Sequence, residues 1–121
     1  MISVKDLTKT YPGVTALDNV SFEISRSEIC GYIGTNGAGK STTVKILTGV
    51  LDFDRGEVFV DGINVKEDPV AVKRIVGYVP EAPNIFNSLS PREYIEFIGT
   101  ARSIETALLN RRLNNFAELF D

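Results

Sequence analysis

Gly34-Thr35-Asn36-Gly37-Ala38-Gly39-Lys40-Ser41 fits the pattern G-x-x-x-x-G-K-[ST], and the reading of the whole 121-residue chain works outward from it. The glycines let the backbone curl with its N–H groups pointing inward. A helix that begins at Lys40 aims the positive end of its dipole at the same spot. In such a loop a lysine at position 40 reaches the β- and γ-phosphate oxygens, and the Ser41 hydroxyl is a ligand for Mg²⁺. The flanks agree. Ile29-Cys30-Gly31-Tyr32-Ile33 is an apolar run that predicts a strand buried on both faces, with Cys30 as a small core residue. A helix-like segment leaves the loop from Lys40 to about Thr48, and Gly49 stands where a helix C-terminus favours glycine. The competing reading is a glycine-rich turn with an exposed lysine. Chance alone would produce the pattern in well under about 1% of chains this long.

Composition narrows the chemistry further. There are 13 basic and 16 acidic residues, no histidine, one cysteine and no tryptophan. The length suits one small domain, and 43% hydrophobic residues are enough for a core. Without histidine the chain cannot build a Ser-His-Asp triad, a Cys-His dyad or a histidine-ligated metal site. A single cysteine excludes an internal disulfide. Residues 1–60 carry 6 basic and 7 acidic side chains, and residues 61–121 carry 7 and 9. Neither half is a basic arm, so no nucleic-acid partner is expected. Lys5 and Asp6 interrupt any apolar leader, which argues against a signal peptide. No window approaches the roughly 18 apolar residues of a bilayer-spanning helix.

Around the loop the pattern alternates between strands and helices. Ile2, Val4 and Leu7 predict an edge-like strand, and Val20, Phe22 and Ile24 alternate with Ser21 and Glu23 as a half-buried strand does. Glu57–Val60 and Ile63–Val65 flank Asp61-Gly62, a hairpin signal. Ile75–Val79 predicts a second buried strand, ended by Pro80. Ser90-Pro91-Arg92-Glu93 reads as a capping box with proline at the first helical position. Apolar residues then follow at helical spacing at Tyr94, Phe97, Ile98 and Ala101, and again at Leu109, Leu113, Phe116, Ala117 and Phe120. The apolar faces of these two helices are expected to be mainly core. Lys73-Arg74 reads as a helix-end pair and Arg111-Arg112 as a solvated face.

Taken together, these segments resemble the N-terminal part of the ATP-binding subunit of ABC transporters. The resemblance runs along nearly the whole chain: Gly13 through Phe22, the loop in the form Asn36-Gly37-Ala38-Gly39-Lys40-Ser41-Thr42-Thr43, the hairpin from Gly56 to Gly62, and Gly77-Tyr78-Val79-Pro80-Glu81 as the lead-in to the Q-loop. It implies an α/β fold, the phosphate-loop NTPase core of ABC type with an antiparallel β subdomain and the start of a helical subdomain. The division expected is 1–86 for the partial ATP-binding core and 87–121 for the start of the helical part. The cofactors implied are ATP and Mg²⁺, with Gly34 through Thr42 around the phosphates. Tyr11 lies where the family places an aromatic that stacks on adenine. On spacing alone it fits a half-exposed turn tyrosine before Pro12-Gly13 equally well. Stacking on an aromatic face contributes roughly 1–3 kcal/mol per base.

Two departures from the family pattern stand out. Glu81 occupies the place of the Q-loop glutamine. An ionised carboxylate can still ligate Mg²⁺ but donates no hydrogen bond. The Pro80-Glu81 form resembles the branch that drives ABC-2-type exporters, and the alternative is an exposed loop glutamate. The sequence also carries no LSGGQ-type signature, no apolar run ending in Asp-Glu (the Walker B strand), and no switch histidine. The chain therefore reads as about the first half of a subunit, a fragment or truncated gene product that is expected not to turn over ATP alone. The resemblance implies a transmembrane permease and a second nucleotide-binding subunit as partners, and a cytoplasmic place at the inner face of the membrane, with the region around 85–98 on the surface that meets the permease. Two further readings stay open: a nucleotide-binding module without turnover, and a soluble ABC-type ATPase with no membrane partner.

Overall fold

The structure is a computed structural model that describes residues 1–81 and 88–120. It falls into two compact units, Met1–Tyr78 and Val79–Asp121.

The first unit is built on a four-stranded antiparallel sheet of order β2-β1-β3-β4, from β1 (Ile2–Tyr11), β2 (Val14–Ile24), β3 (Arg55–Val60) and β4 (Ile63–Asn64). β1 runs between two partners: Val4 faces Phe22 on β2 and Val58 on β3. It is therefore an interior strand, not the edge strand expected. Its alternation is blurred by register shifts, which fall between Val4 and Leu7, Leu7 and Lys9, and Lys9 and Thr10 on the β2 side. The Asp61-Gly62 hairpin forms as its sequence demands. Both residues take positive φ, 51° and 84°, the combination a tight primed turn needs. Arg26 donates to the Asp61 carboxylate through Nε at 3.0 Å, and that bond above all holds the carboxyl below its usual range.

One face of the sheet carries the core. Val4, Leu7, Leu17, Val58 and Val60 pack with Ile46 of helix α1 (Lys40–Leu47), Phe53, Val65 and Val72 of helix α2 (Pro69–Ile75). α1 ends at Thr48 and Gly49, whose φ of 67° is the left-handed close anticipated there. α2 replaces the beginning of the second predicted strand. Asp68 accepts the Ala71 N–H at 2.8 Å, Pro69 opens the first turn, and Lys73 and Arg74 lie in the last. These are complete start and stop signals, and they outweigh the β-branched residues between them.

Neither predicted buried strand is present. Residues 29–33 and 76–79 have no regular structure, and Ile29, Ile33 and Val79 are almost fully exposed. Cys30 is exposed too, against expectation. The physical reason is common to both runs. A strand buried on both faces is stable only when neighbours on each side take up its N–H and C=O groups. Among the described residues no strand pairs with either run.

The second unit holds α3 (Pro91–Ala101) and α4 (Thr106–Phe120). The capping box is complete: Ser90 Oγ accepts the Glu93 N–H at 3.3 Å, and Glu93 Oε2 accepts the Ser90 N–H at 2.8 Å. The helices meet where Gly99 is buried against Leu109; a Cβ at 99 would lie 2.6 Å from Leu109 Cδ2. The expectation of mainly buried faces is only partly met. Leu109 is buried and Tyr94, Ile98 and Leu113 are half-buried, but Phe97 and Phe116 are exposed. Two helices can cover only one stripe of each other. Arg111 and Arg112 are exposed, as expected. Residues 82–87, and with them part of the expected permease-facing stretch, lie outside the described residues.

Candidate nucleotide site

The loop between β2 and α1 is shaped by two left-handed glycines. Gly37 has φ 82° and Gly39 has φ 84°. Gly39 is the residue before the first turn of α1, and no side chain caps that end. A helix leaves its first N–H groups without intrahelical partners. Here these are the N–H groups of Gly39, Lys40, Ser41 and Thr42, and no acidic residue lies in the first turn to compete for them. The chemistry of this donor set suits an anion such as a phosphate.

Lys40 folds back across the loop. Its ammonium donates to the Gly34 and Thr35 carbonyls, each at 2.7 Å. An ammonium has three donors, so two are used to fix its position and one remains for an incoming oxygen. The loop is also braced from outside. The Ala38 N–H donates to the Thr35 carbonyl at 3.2 Å. Buried Thr43 donates its hydroxyl to the Gly39 carbonyl at 3.1 Å and lies 3.3 Å from the Tyr32 hydroxyl. The Tyr32 ring in turn packs on Phe22 of β2, with centroids 5.7 Å apart. Tyr32 and Thr43 were not singled out from the sequence, because an aromatic and a threonine beside a glycine loop carry no pattern of their own.

Gly39 ties the loop to the sheet. A Cβ there would stand 2.5 Å from both the Ala16 carbonyl oxygen and Leu17 Cδ2. Val14, two residues before Ala16, pairs with Tyr11. The end of the β1–β2 hairpin that carries Tyr11 is thus separated from the Gly39 contact by only two strand residues, about 7 Å. Tyr11 is 41% exposed, enough to offer a ring face, and the Lys9 ammonium stands 5.5 Å from its centroid.

Asp54, in the segment that leads into β3, completes this corner. Its Oδ2 accepts the Thr10 N–H at 2.6 Å and its Oδ1 accepts the Lys9 ammonium at 3.5 Å. The Thr10 N–H above all, then Lys9, holds the Asp54 carboxyl below its ordinary value despite some desolvation. A lowered carboxylate pKa means that the clamp is in place at neutral pH. Its contribution is lost as the pH falls below the ordinary carboxylate value through the lowered one.

For a metal, the first unit offers the exposed Ser41 hydroxyl. The described residues hold no cluster of three or more His, Cys, Asp or Glu side chains. That sparse donor set fits Mg²⁺, which keeps several waters and is held through phosphate oxygens as much as by protein. Glu81 is exposed and belongs to the second unit.

Residues 17–120 match the family model described as ABC transporter. The chain belongs to that family. It is 36% identical over 113 residues to the ABC-type transporter ATP-binding protein EcsA of Bacillus subtilis, covering 93% of this chain and 46% of that one. It is 31% identical over 120 residues to a protein of Escherichia coli K12 named "Probable multidrug ABC transporter ATP-binding protein YbhF", covering 99% and 21%. A protein of Albidiferax ferrireducens named for ribose/galactose/methyl galactoside import is 42% identical over 97 residues, covering 78% and 19%. Among solved structures, the dimeric post-hydrolysis state of the ATP-binding cassette MJ0796 with ADP and Pi superposes with a TM-score of 0.82 at 26% identity, covering 93% of this chain and 53% of that one. This ABC-family chain thus spans about half, or less, of the length of the proteins it resembles. The relatives' names include both import and multidrug types. No helix among the described residues is long and apolar enough to cross a membrane.

Proposed function

We propose that this ABC-family chain carries the nucleotide-binding face of a transporter ATPase that binds ATP with Mg²⁺. The observation that carries the reading is the uncapped start of α1 behind Gly39, with the Lys40 ammonium held over the loop by two carbonyls. The N–H groups of the loop and first turn between Gly34 and Thr42, other than that of Ala38, receive phosphate oxygens, Lys40 supplies the cation, and Ser41 supplies a hydroxyl to the metal. Bound Mg²⁺ neutralises charge on the phosphate oxygens. Tyr11 stacks on adenine, and Glu81 provides a carboxylate ligand to the metal at the Q-loop position. The partners proposed are a transmembrane permease and a second nucleotide-binding subunit. The direction proposed is export, supported by the Pro80-Glu81 form and by similarity to a multidrug-type relative. The division at 86/87 into a core and a helical part is likewise our reading.

Equilibrium titration with ATP and Mg²⁺ tests the proposal, and Tyr11 provides its sharpest arm. Tyr11→Ala is expected to weaken ATP binding by about 5- to 150-fold, the equivalent of about 1–3 kcal/mol of stacking. Tyr11→Phe and Tyr11→Trp are expected to retain it, because only the ring face is used. Inorganic tripolyphosphate, which has no base, should bind Tyr11→Ala as it binds the parent. If Tyr11→Phe is as damaging as Tyr11→Ala, the hydroxyl matters and stacking is the wrong account.

Turnover is a separate question. A polypeptide of residues 1–121 alone is expected to show no steady ATP hydrolysis. Phosphoryl transfer depends on placed charges and an oriented water, and residues 1–121 carry no Walker B acid pair and no histidine. The lack of a general base alone removes about 10²–10⁴-fold. Phosphate release from purified 1–121, with Lys40→Ala as the contamination control, measures this. Turnover that disappears in the variant would overturn the expectation.

A further inference from the structure

The end of β1 has an unusual anchor. The β1–β3 ladder has its last pair at Thr8 and Arg55, and the β1–β2 register shifts on both sides of Lys9. Beyond Thr8, the side of β1 that faced β3 has no ladder to hold it. Asp54 takes over there with both backbone and side chain. Its own N–H donates to the Thr8 carbonyl at 3.0 Å, Oδ2 accepts from the Thr10 N–H at 2.6 Å, and Oδ1 accepts from the Lys9 ammonium at 3.5 Å. The Lys9 side chain is only 15% exposed, so its ammonium is confined between the Asp54 carboxylate and the Tyr11 ring, 5.5 Å from the centroid. A cation over an aromatic face is attracted by the ring quadrupole. The two grips of one carboxylate therefore fall on the N–H of Thr10, the residue immediately before Tyr11, and on the cation above its ring.

We propose that Asp54 is a positioning residue for the nucleotide base: by holding Thr10 and Lys9, it sets the place and tilt of the Tyr11 ring. The inference rests on the stacking role of Tyr11 proposed above. Asp54 does not touch the nucleotide; it acts through Tyr11. A ring that wanders at the end of a frayed strand must be ordered when the base arrives, and that ordering opposes binding. A ring already held in place avoids the loss.

The test is equilibrium affinity for ATP and for inorganic tripolyphosphate in the complete protein, with Asp54→Ala, Asp54→Asn, Tyr11→Ala and the Asp54→Ala/Tyr11→Ala double variant. Asp54→Ala is expected to lower ATP affinity by about 3- to 10-fold, the scale of one or two lost hydrogen bonds. It should leave tripolyphosphate affinity within about twofold. Asp54→Asn keeps an acceptor for the Thr10 N–H and should recover part of the loss. In the Tyr11→Ala background, Asp54→Ala should have no further effect, because there is no ring left to position. An equal loss for both ligands would make Asp54 a residue of general structure, and additive effects of the two alanines would separate it from Tyr11. Either result overturns the proposal. If Tyr11→Ala leaves ATP affinity unchanged, the stacking reading itself fails and takes this proposal with it. If Tyr11→Ala weakens ATP binding while Asp54→Ala does not, only the role of Asp54 is lost.

Discussion

Lys40→Ala is expected to abolish measurable ATP binding. The ammonium held at 2.7 Å by the Gly34 and Thr35 carbonyls is the cation the loop presents to the β- and γ-phosphates. Backbone N–H groups supply only partial charges against several full negative charges. Charge-assisted hydrogen bonds contribute about 1.5–3 kcal/mol each; once an arriving phosphate oxygen displaces one of the two carbonyls, the ammonium makes one to each of two phosphates, and losing both lowers affinity by about 10²–10⁴-fold. The loss should be as large for tripolyphosphate as for ATP, which sets it apart from Tyr11→Ala. Unchanged ATP affinity in the variant would remove the phosphate-loop assignment. A melting temperature within a few degrees of the parent is expected, because Lys40 bonds only loop carbonyls.

The second large effect is structural and functional together. Gly39→Ala is expected to destabilise the first unit by about 2–5 kcal/mol and to abolish nucleotide binding. Two costs add. A left-handed φ of 84° costs an L-residue about 1–2 kcal/mol. The new methyl would also stand 2.5 Å from the Ala16 carbonyl oxygen and from Leu17, a core side chain. Overpacking of that kind costs about 1–3 kcal/mol. Gly37→Ala is the control. Gly37 has nearly the same φ, 82°, but nothing within 4 Å of its would-be Cβ, so only the conformational cost applies. Thermal or denaturant unfolding of the two variants compares them directly. Equal stabilities would mean that β2 does not press on the loop as the structure places it.

The clamp at Asp54 and the close approach at Gly39 share a feature: both join residues far apart in the chain. Asp54 lies 44 positions from Thr10, and Gly39 contacts Ala16 and Leu17 across 22 or more. No local pattern announces such pairs. An aspartate before an arginine and a glycine reads as an ordinary turn residue, and only the folded sheet shows that it anchors the end of β1. Tyr32 and Thr43 went unnoticed because neither residue type carries a pattern of its own beside a glycine loop.

Where the interaction is local, the sequence reading matched most of the outcome; α2, opened by the Asp68 cap and Pro69, is the exception. The glycine turn at Gly37 and Gly39, the start of α1 at Lys40, its close at Gly49, the Asp61-Gly62 turn and the Ser90–Glu93 box each depend on φ preferences or on hydrogen bonds within a few residues, and each is found as read. The alternation in β2 likewise reports a face buried by its immediate neighbours. What only the tertiary structure decided is which strands find partners. β1, read as an edge, lies between β2 and β3. The runs 29–33 and 76–79, apolar enough for buried strands, have no ladder on either side among the described residues and stay irregular. Apolar composition expresses a preference for burial, but a strand exists only where another strand accepts its hydrogen bonds. That partner is chosen by the topology of the sheet, not by the run itself.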